Sequence, residues 1–187
     1  MGKERFLVEA RVAAQLRHPN IVDVYDLGEQ PGGFFIVMEH ISGVTLSEIL
    51  RRSEKLGRPI APDVVAELGA QMCRALSFAH AAQVIHRDIK RSNVMVSFAG
   101  VLKLIDFGIA QEMPSSPSER ATAVEGAAVS SGEGLTVGGS VVGTPGYIAP
   151  ERYRGEPATV ASDLFSVGVV LYELLAQAPP DTGRDTS

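Results

Sequence analysis

Apolar positions in this chain fall into short blocks whose spacing changes from one block to the next. Phe6, Leu7, Ala10, Ala13, Ala14 and Leu16 recur at helical spacing between charged residues, which predicts a helix over Glu4–Leu16. His18-Pro19-Asn20 ends it, because proline removes a backbone donor and forces its predecessor toward extended geometry. Ile21–Leu27 then reads as a strand, Pro31-Gly32-Gly33 as a turn and Phe34–Glu39 as a second strand. Thr45-Leu46-Ser47-Glu48 has capping-box spacing and opens a short helix through about Leu56. Pro62 suits a first helical turn. Behind it Val64, Val65, Leu68, Met72, Ala75, Leu76 and Ala79 make one apolar stripe, predicting a helix to about His80. Cys73, beside that stripe, reads as a buried small hydrophobe. Val94–Val96 and Val101–Ile105 are short strands around a turn at Ala99-Gly100. Ser162–Gln177 is apolar on nearly every face, which predicts a buried central helix.

One stretch differs in kind. Gln111–Val142 is more than half Gly, Ser, Ala or Pro and has no aromatic residue, so a mobile loop is expected there. No internal repeat appears. With 187 residues, 45% hydrophobic and 21% charged, the chain has the make-up of one globular domain, or two small ones at most. The net charge of −5 argues against a basic nucleic-acid footprint, so no nucleic-acid partner is expected. The single cysteine excludes an intramolecular disulfide framework and a multi-cysteine metal site. No apolar run approaches the ~18 residues of a membrane span, and the start lacks a signal-peptide core. A cytoplasmic setting is the expectation, with a membrane anchor of the parent protein outside this segment left open.

Three motifs stand in order: His86-Arg87-Asp88-Ile89-Lys90-Arg91-Ser92-Asn93, then Asp106-Phe107-Gly108, then Gly143-Thr144-Pro145-Gly146-Tyr147-Ile148-Ala149-Pro150-Glu151. An isolated Asp88 would read as a turn residue or helix cap. Within its octapeptide it reads as part of a catalytic loop. On these motifs the chain resembles the protein kinase family, in its serine/threonine branch, over Arg5 to about Ala178. Phe6-Leu7-Val8-Glu9-Ala10 leading to His18-Pro19-Asn20-Ile21-Val22 is most similar to bacterial members.

The resemblance implies an α+β, protein-kinase-like fold. Residues 1–41 would be a truncated small lobe, one helix plus a β-hairpin, ending in the hinge. Residues 42–187 would be a mostly helical, C-terminally incomplete large lobe with a mobile activation loop at about 109–142. The implied reaction moves the γ-phosphoryl group of ATP to serine or threonine hydroxyls of proteins. Such chemistry asks the protein for positioning and for neutralisation of phosphate charge. By resemblance, Asp88 orients the substrate hydroxyl and takes its proton. Asn93 and Asp106 hold Mg2+, Lys90 steadies the transferring phosphate, and Thr144 packs where the hydroxyl arrives. The Glu39 carbonyl and the Ile41 amide would bond adenine, with Met38 as the gate residue and Met95 beneath the ring. Glu9 would pair with an ATP-contacting lysine. His86 is expected to pack under Phe107 as a core histidine rather than serve as a base. Asp163 would brace the backbone of the His86-Arg87 turn. Arg87 would receive a phosphorylated loop residue, with Thr136 first and Ser140 second among candidates.

The family pattern is incomplete. Nothing upstream of Glu9 leaves room for a glycine-rich loop and its lysine. None of the four lysines, Lys3, Lys55, Lys90 and Lys103, follows a strand of the required type. Gly132-Glu133-Gly134-Leu135-Thr136-Val137-Gly138 imitates a glycine loop but lies inside the expected mobile segment. Glu151 lacks the arginine that later helices supply in the family, and Leu171, Leu174 and Leu175 are expected to leave an apolar patch. The expectation is a fragment, inactive on its own. A kinase-like scaffold that binds partners and a non-functional remnant are the alternatives.

Overall fold

A computed structural model of the chain describes residues 15–30, 33–107, 146–178 and 180. The expected helix over Glu4–Leu16 and the loop at 109–142 therefore lie outside the described residues, apart from residues 15 and 16 at the helix's end. There the chain is in a turn, with Leu16 buried.

The first element is a hairpin. Strand β1 (Val24–Gln30) pairs antiparallel with β2 (Gly33–Met38), from Val24 opposite Met38 to Gln30 opposite Gly33. The strand expected at Ile21–Leu27 thus starts later. Its first residues are taken by a different partner: Ile21 bridges Leu104 in parallel, and Val22 N donates to the Leu104 carbonyl at 3.0 Å. The pull is hydrophobic, since Ile21 is 1% exposed.

A strand not expected from the sequence, β3 (Gly43–Thr45), pairs with β4 (Val94–Ser97), which in turn pairs with β5 (Leu102–Leu104). Gly43 is required here, because a Cβ on it would lie 2.2 Å from the Val96 carbonyl oxygen.

Helix α1 (Leu46–Leu56) begins where Thr45 accepts from the Glu48 amide, as the capping pattern predicts. It ends at Gly57, whose left-handed φ of 60° suits glycine. Helix α2 (Pro62–Ala81) carries proline at its first position and buries Val65, Leu68, Met72, Ala75, Leu76 and Ala79. Val64 and Cys73 depart from expectation, since both are exposed. Each adjoins a buried residue, Val65 or Met72, and one residue rotates a helix by about 100°, which carries it off the stripe. A one-turn helix, α3 (Pro150–Tyr153), precedes α4 (Val160–Ala176). Thr159 and Ser162 close a reciprocal capping box at the start of α4.

Helix α4 corrects the expectation of burial on every face. Val167, Val170 and Leu174 enter the core, whereas Leu164, Phe165, Tyr172 and Leu175 are exposed. The buried face packs on α2, and Gly69 lets the helices approach: a Cβ there would meet Leu171 at 3.1 Å. Of the expected apolar patch, Leu175 is exposed, Leu171 is partly buried and Leu174 is fully buried. The core runs from Ile21 through Leu46, Leu50, Met72, Leu76, Leu102 and Leu104 to Leu174, and Ile89 of the loop over residues 86–93 joins it. That burial anchors the loop described next.

Candidate active site

Residues 86–93 connect the end of α2 to β4, and almost every bond in the loop has an identifiable cause. Arg87 adopts a left-handed φ of 70°, uncommon for a side-chain-bearing residue. Asp163, near the start of α4 and 2% exposed, holds this turn: its Oδ2 accepts from the His86 amide and its Oδ1 from the Arg87 amide, each at 2.9 Å. His80 of α2 lies 2.7 Å from the same Oδ2.

His86 is fully buried, its ring 4.5 Å from that of Phe107. Nε2 donates to the Ile105 carbonyl at 3.1 Å and Nδ1 accepts from the Asp88 amide at 3.4 Å, so the neutral ring satisfies both neighbours. Burial lowers its pKa, against the opposing pull of Asp163 and Asp88. It is a core histidine.

The Asp88 carboxylate is held from two sides. Lys90 Nζ lies 2.8 Å from Oδ2. Asn93 Nδ2 donates to that oxygen and to the Asp88 backbone carbonyl, both at 2.9 Å. A single 3-10 turn, Arg91–Asn93, sets this spacing. The Asn93 carbonyl then accepts from the Ile105 amide at 3.0 Å, which fixes the loop against the chain entering Asp106. Asp106 is exposed, with φ of 57°.

Asn93 turns its amide nitrogen toward Asp88, and its Oδ1 accepts from the Ser92 hydroxyl at 3.3 Å; that oxygen and the Asp106 carboxylate are the hard oxygen donors here. Among the described residues no three His, Cys, Asp or Glu side chains gather into a cage. One amide oxygen and one carboxylate suit a magnesium ion that keeps waters and binds substrate phosphates.

A second group lies at the β2 end. The Glu39 side chain accepts from the Asp23 amide at 2.9 Å and pairs with Lys103 Nζ at 2.5 Å. Lys103 lies opposite Met95 in the β4–β5 ladder, so Met95 and Glu39 flank one lysine. Met95 is half-buried, Ile41 is partly exposed and Met38 is exposed. Asp88, Lys90 and Asn93 are thus brought together, and Met95 and Glu39 form a separate group. Arg87 borders a cleft with Asp88 and Tyr147. Glu9, Thr136, Ser140 and Thr144 lie outside the described residues.

Sequence reasoning missed Lys103, His80 and the Arg91–Tyr147–Glu173 contacts. Each joins residues far apart in the chain, and no local spacing signals such a contact.

The protein kinase domain family matches residues 1–187. The chain is 42% identical to the serine/threonine-protein kinase PknB of Mycolicibacterium smegmatis over 183 residues, covering 96% of this chain and 26% of that relative. It is 41% identical to PknB of Mycobacterium tuberculosis, with the same coverage. Identity to the serine/threonine-protein kinase PrkC of Bacillus subtilis is 37% over 180 residues, covering 96% of this chain and 24% of the relative. The chain spans about a quarter of the length of these curated relatives.

Proposed function

This chain belongs to the protein kinase family, and on that premise we propose that the protein transfers the γ-phosphoryl group of ATP to serine or threonine hydroxyls of other proteins. The observation that carries this reading is the Asp88 carboxylate, held by Lys90 at 2.8 Å and Asn93 at 2.9 Å. A carboxylate so fixed orients an incoming hydroxyl and accepts its proton as the phosphoryl group moves. Lys90 Nζ, beside it, neutralises phosphate charge. Asn93 and Asp106 would hold magnesium, which when bound spreads the phosphate charge. Thr144 would pack where the hydroxyl arrives. The Glu39 carbonyl and Ile41 amide would bond adenine, with Met38 as the gate residue behind it and Met95 beneath the ring. Residues 1–41 act as small-lobe remnant and hinge in this reading, and 42–187 as a partial large lobe with its activation loop at about 109–142. The reaction is assigned to the cytoplasm. Among the described residues no helix is long and apolar enough to cross a membrane.

Residues 1–187 alone are proposed to bind nucleotide weakly. Lys103 is engaged with Glu39 and Lys90 with Asp88, while Lys55 closes the last turn of α1. Both ion-paired lysines thus already have carboxylate partners within the described residues, and the sequence holds no glycine-rich loop in the family position. The same observation favours a second reading, a kinase-like module that binds partners without turnover. Calorimetric titration of the chain with Mg-ATP tests the first proposal: no binding in the low micromolar range is expected, and tight binding would overturn it. Phosphoryl transfer by a chain supplied with the missing loop and lysine separates enzyme from binding module.

Arg87 is proposed as the anchor for a phosphorylated loop residue, Thr136 or next Ser140. A phosphate brings about −1.5 to −2 charge and strong acceptors for a guanidinium.

A further inference from the structure

The catalytic loop and residues 146–149 come from distant parts of the sequence, yet three side chains without a role in the proposed chemistry bind them together. Arg91 Nε donates to the Tyr147 hydroxyl at 2.8 Å and lies 3.0 Å from Glu173 Oε2. The Tyr147 hydroxyl donates to the same carboxylate oxygen at 2.6 Å. Glu173, in α4, is 4% exposed, so this carboxylate is withdrawn from water and held by the Tyr147 hydroxyl and the charge of Arg91. Burial, then the bond to Glu173, raises the Tyr147 phenol to about 12, so it stays a neutral donor. About two turns earlier on α4, Ser166 Oγ donates to the Tyr147 carbonyl at 2.7 Å. Tyr147 is therefore pinned to α4 at both its backbone and its hydroxyl. Arg91 contributes the catalytic-loop side, three residues after Asp88 and two before Asn93.

A cleft opens between these parts, with Asp88 on one wall and Tyr147 and Ile148 on the other. We propose that Arg91 is a positioning residue: through Tyr147 and Glu173 it locks the 146–149 segment to the catalytic loop, so that both walls of the cleft holding Asp88 move as one body. This rests on the reading of Asp88 given above and assigns the spacing of that same site.

Hydrogen exchange of the full chain, read by mass spectrometry, tests it in wild type, Arg91→Ala, Tyr147→Phe and the double variant. Each single change is expected to raise exchange about tenfold in both 86–93 and 146–149, and the double change to add little. Arg91→Lys is expected to restore most of the protection at 146–149, because the observed contacts come from one nitrogen rather than a two-pronged fork. Unchanged exchange at the buried α2 residues 75–79 shows that the fold has survived. Should Arg91→Ala unfold the chain, Tyr147→Phe, which removes one hydroxyl, carries the same test. Altered exchange in 86–93 alone, equal exchange in the Ala and Lys variants, or additive effects would overturn the proposal. The measurement is made on the resting chain, so a failure of phosphoryl transfer would count against the kinase reading and not against this one.

Discussion

Asn93 donates through one amide nitrogen to both the backbone carbonyl and the carboxylate of Asp88, at 2.9 Å each. One side chain thereby fixes where the Asp88 loop runs and which way its carboxylate points. Truncating Asn93 leaves a partly buried carboxylate and a backbone carbonyl short of a donor. Asn93→Ala is expected to lower folding stability by about 1–3 kcal/mol, as measured by urea denaturation. Unchanged stability would show that the tether carries no weight.

Asp163 holds the same loop from below, and its oxygens take two buried amides and His80. Asp163→Ala strands those donors and is expected to cost more than about 3 kcal/mol, at about 1–3 kcal/mol per buried unsatisfied group. Asp163→Asn keeps one acceptor oxygen and should lose less. Thermal and urea unfolding of the two variants give the ranking, and equal losses would contradict the role described.

His86 makes stability depend on pH. Burial holds its folded pKa below the ordinary 6.5, so below pH 6.5 the unfolded chain binds the extra proton and the folded chain does not. Stability from this group is therefore full above 6.5 and falls as pH drops toward the folded value, by at most about 1.4 kcal/mol per pH unit. NMR of the ring should show the neutral form, protonated at Nε2, persisting below pH 6.5. A charged His86 at pH 6.5 in the folded chain would refute this.

Much of the fold was legible because helix boundaries depend on local chemistry: Thr45, Gly57 and Pro62 bound α1 and α2 where their side chains or backbone freedom require. Strand β3 was not legible, since three residues are too few to show alternation and exist as a strand only because β4 lies beside them. The exposed side of α4 was hidden for a related reason: an apolar helix face does not say which neighbour covers it, and Leu164, Phe165, Tyr172 and Leu175 have none among the described residues deep enough to bury them. At the site, the His86–Asn93 motif gave Asp88 and its partners, and the Asp163 brace followed from the same resemblance. The Lys103–Glu39 pair and the Arg91–Tyr147–Glu173 cluster required the chain to be folded first.

Regulation gives a further prediction. In an active form carrying a complete small lobe, Thr136 should become autophosphorylated, and Thr136→Ala should lower activity with little change in stability. Mass spectrometry of the active protein checks it. Full activity with both Thr136 and Ser140 unmodified would rule out a phosphate ligand for Arg87 from this pair.

The most direct test of the central claim is radiolabel transfer from γ-labelled ATP to a serine- or threonine-containing protein. The chain is supplied ahead of Met1 with a relative's glycine-rich loop and lysine, and compared with its Asp88→Asn counterpart. The account predicts label on serine or threonine and a rate about 10²–10⁴-fold lower in the variant, with the fold unchanged. Equal transfer by the two proteins would contradict it.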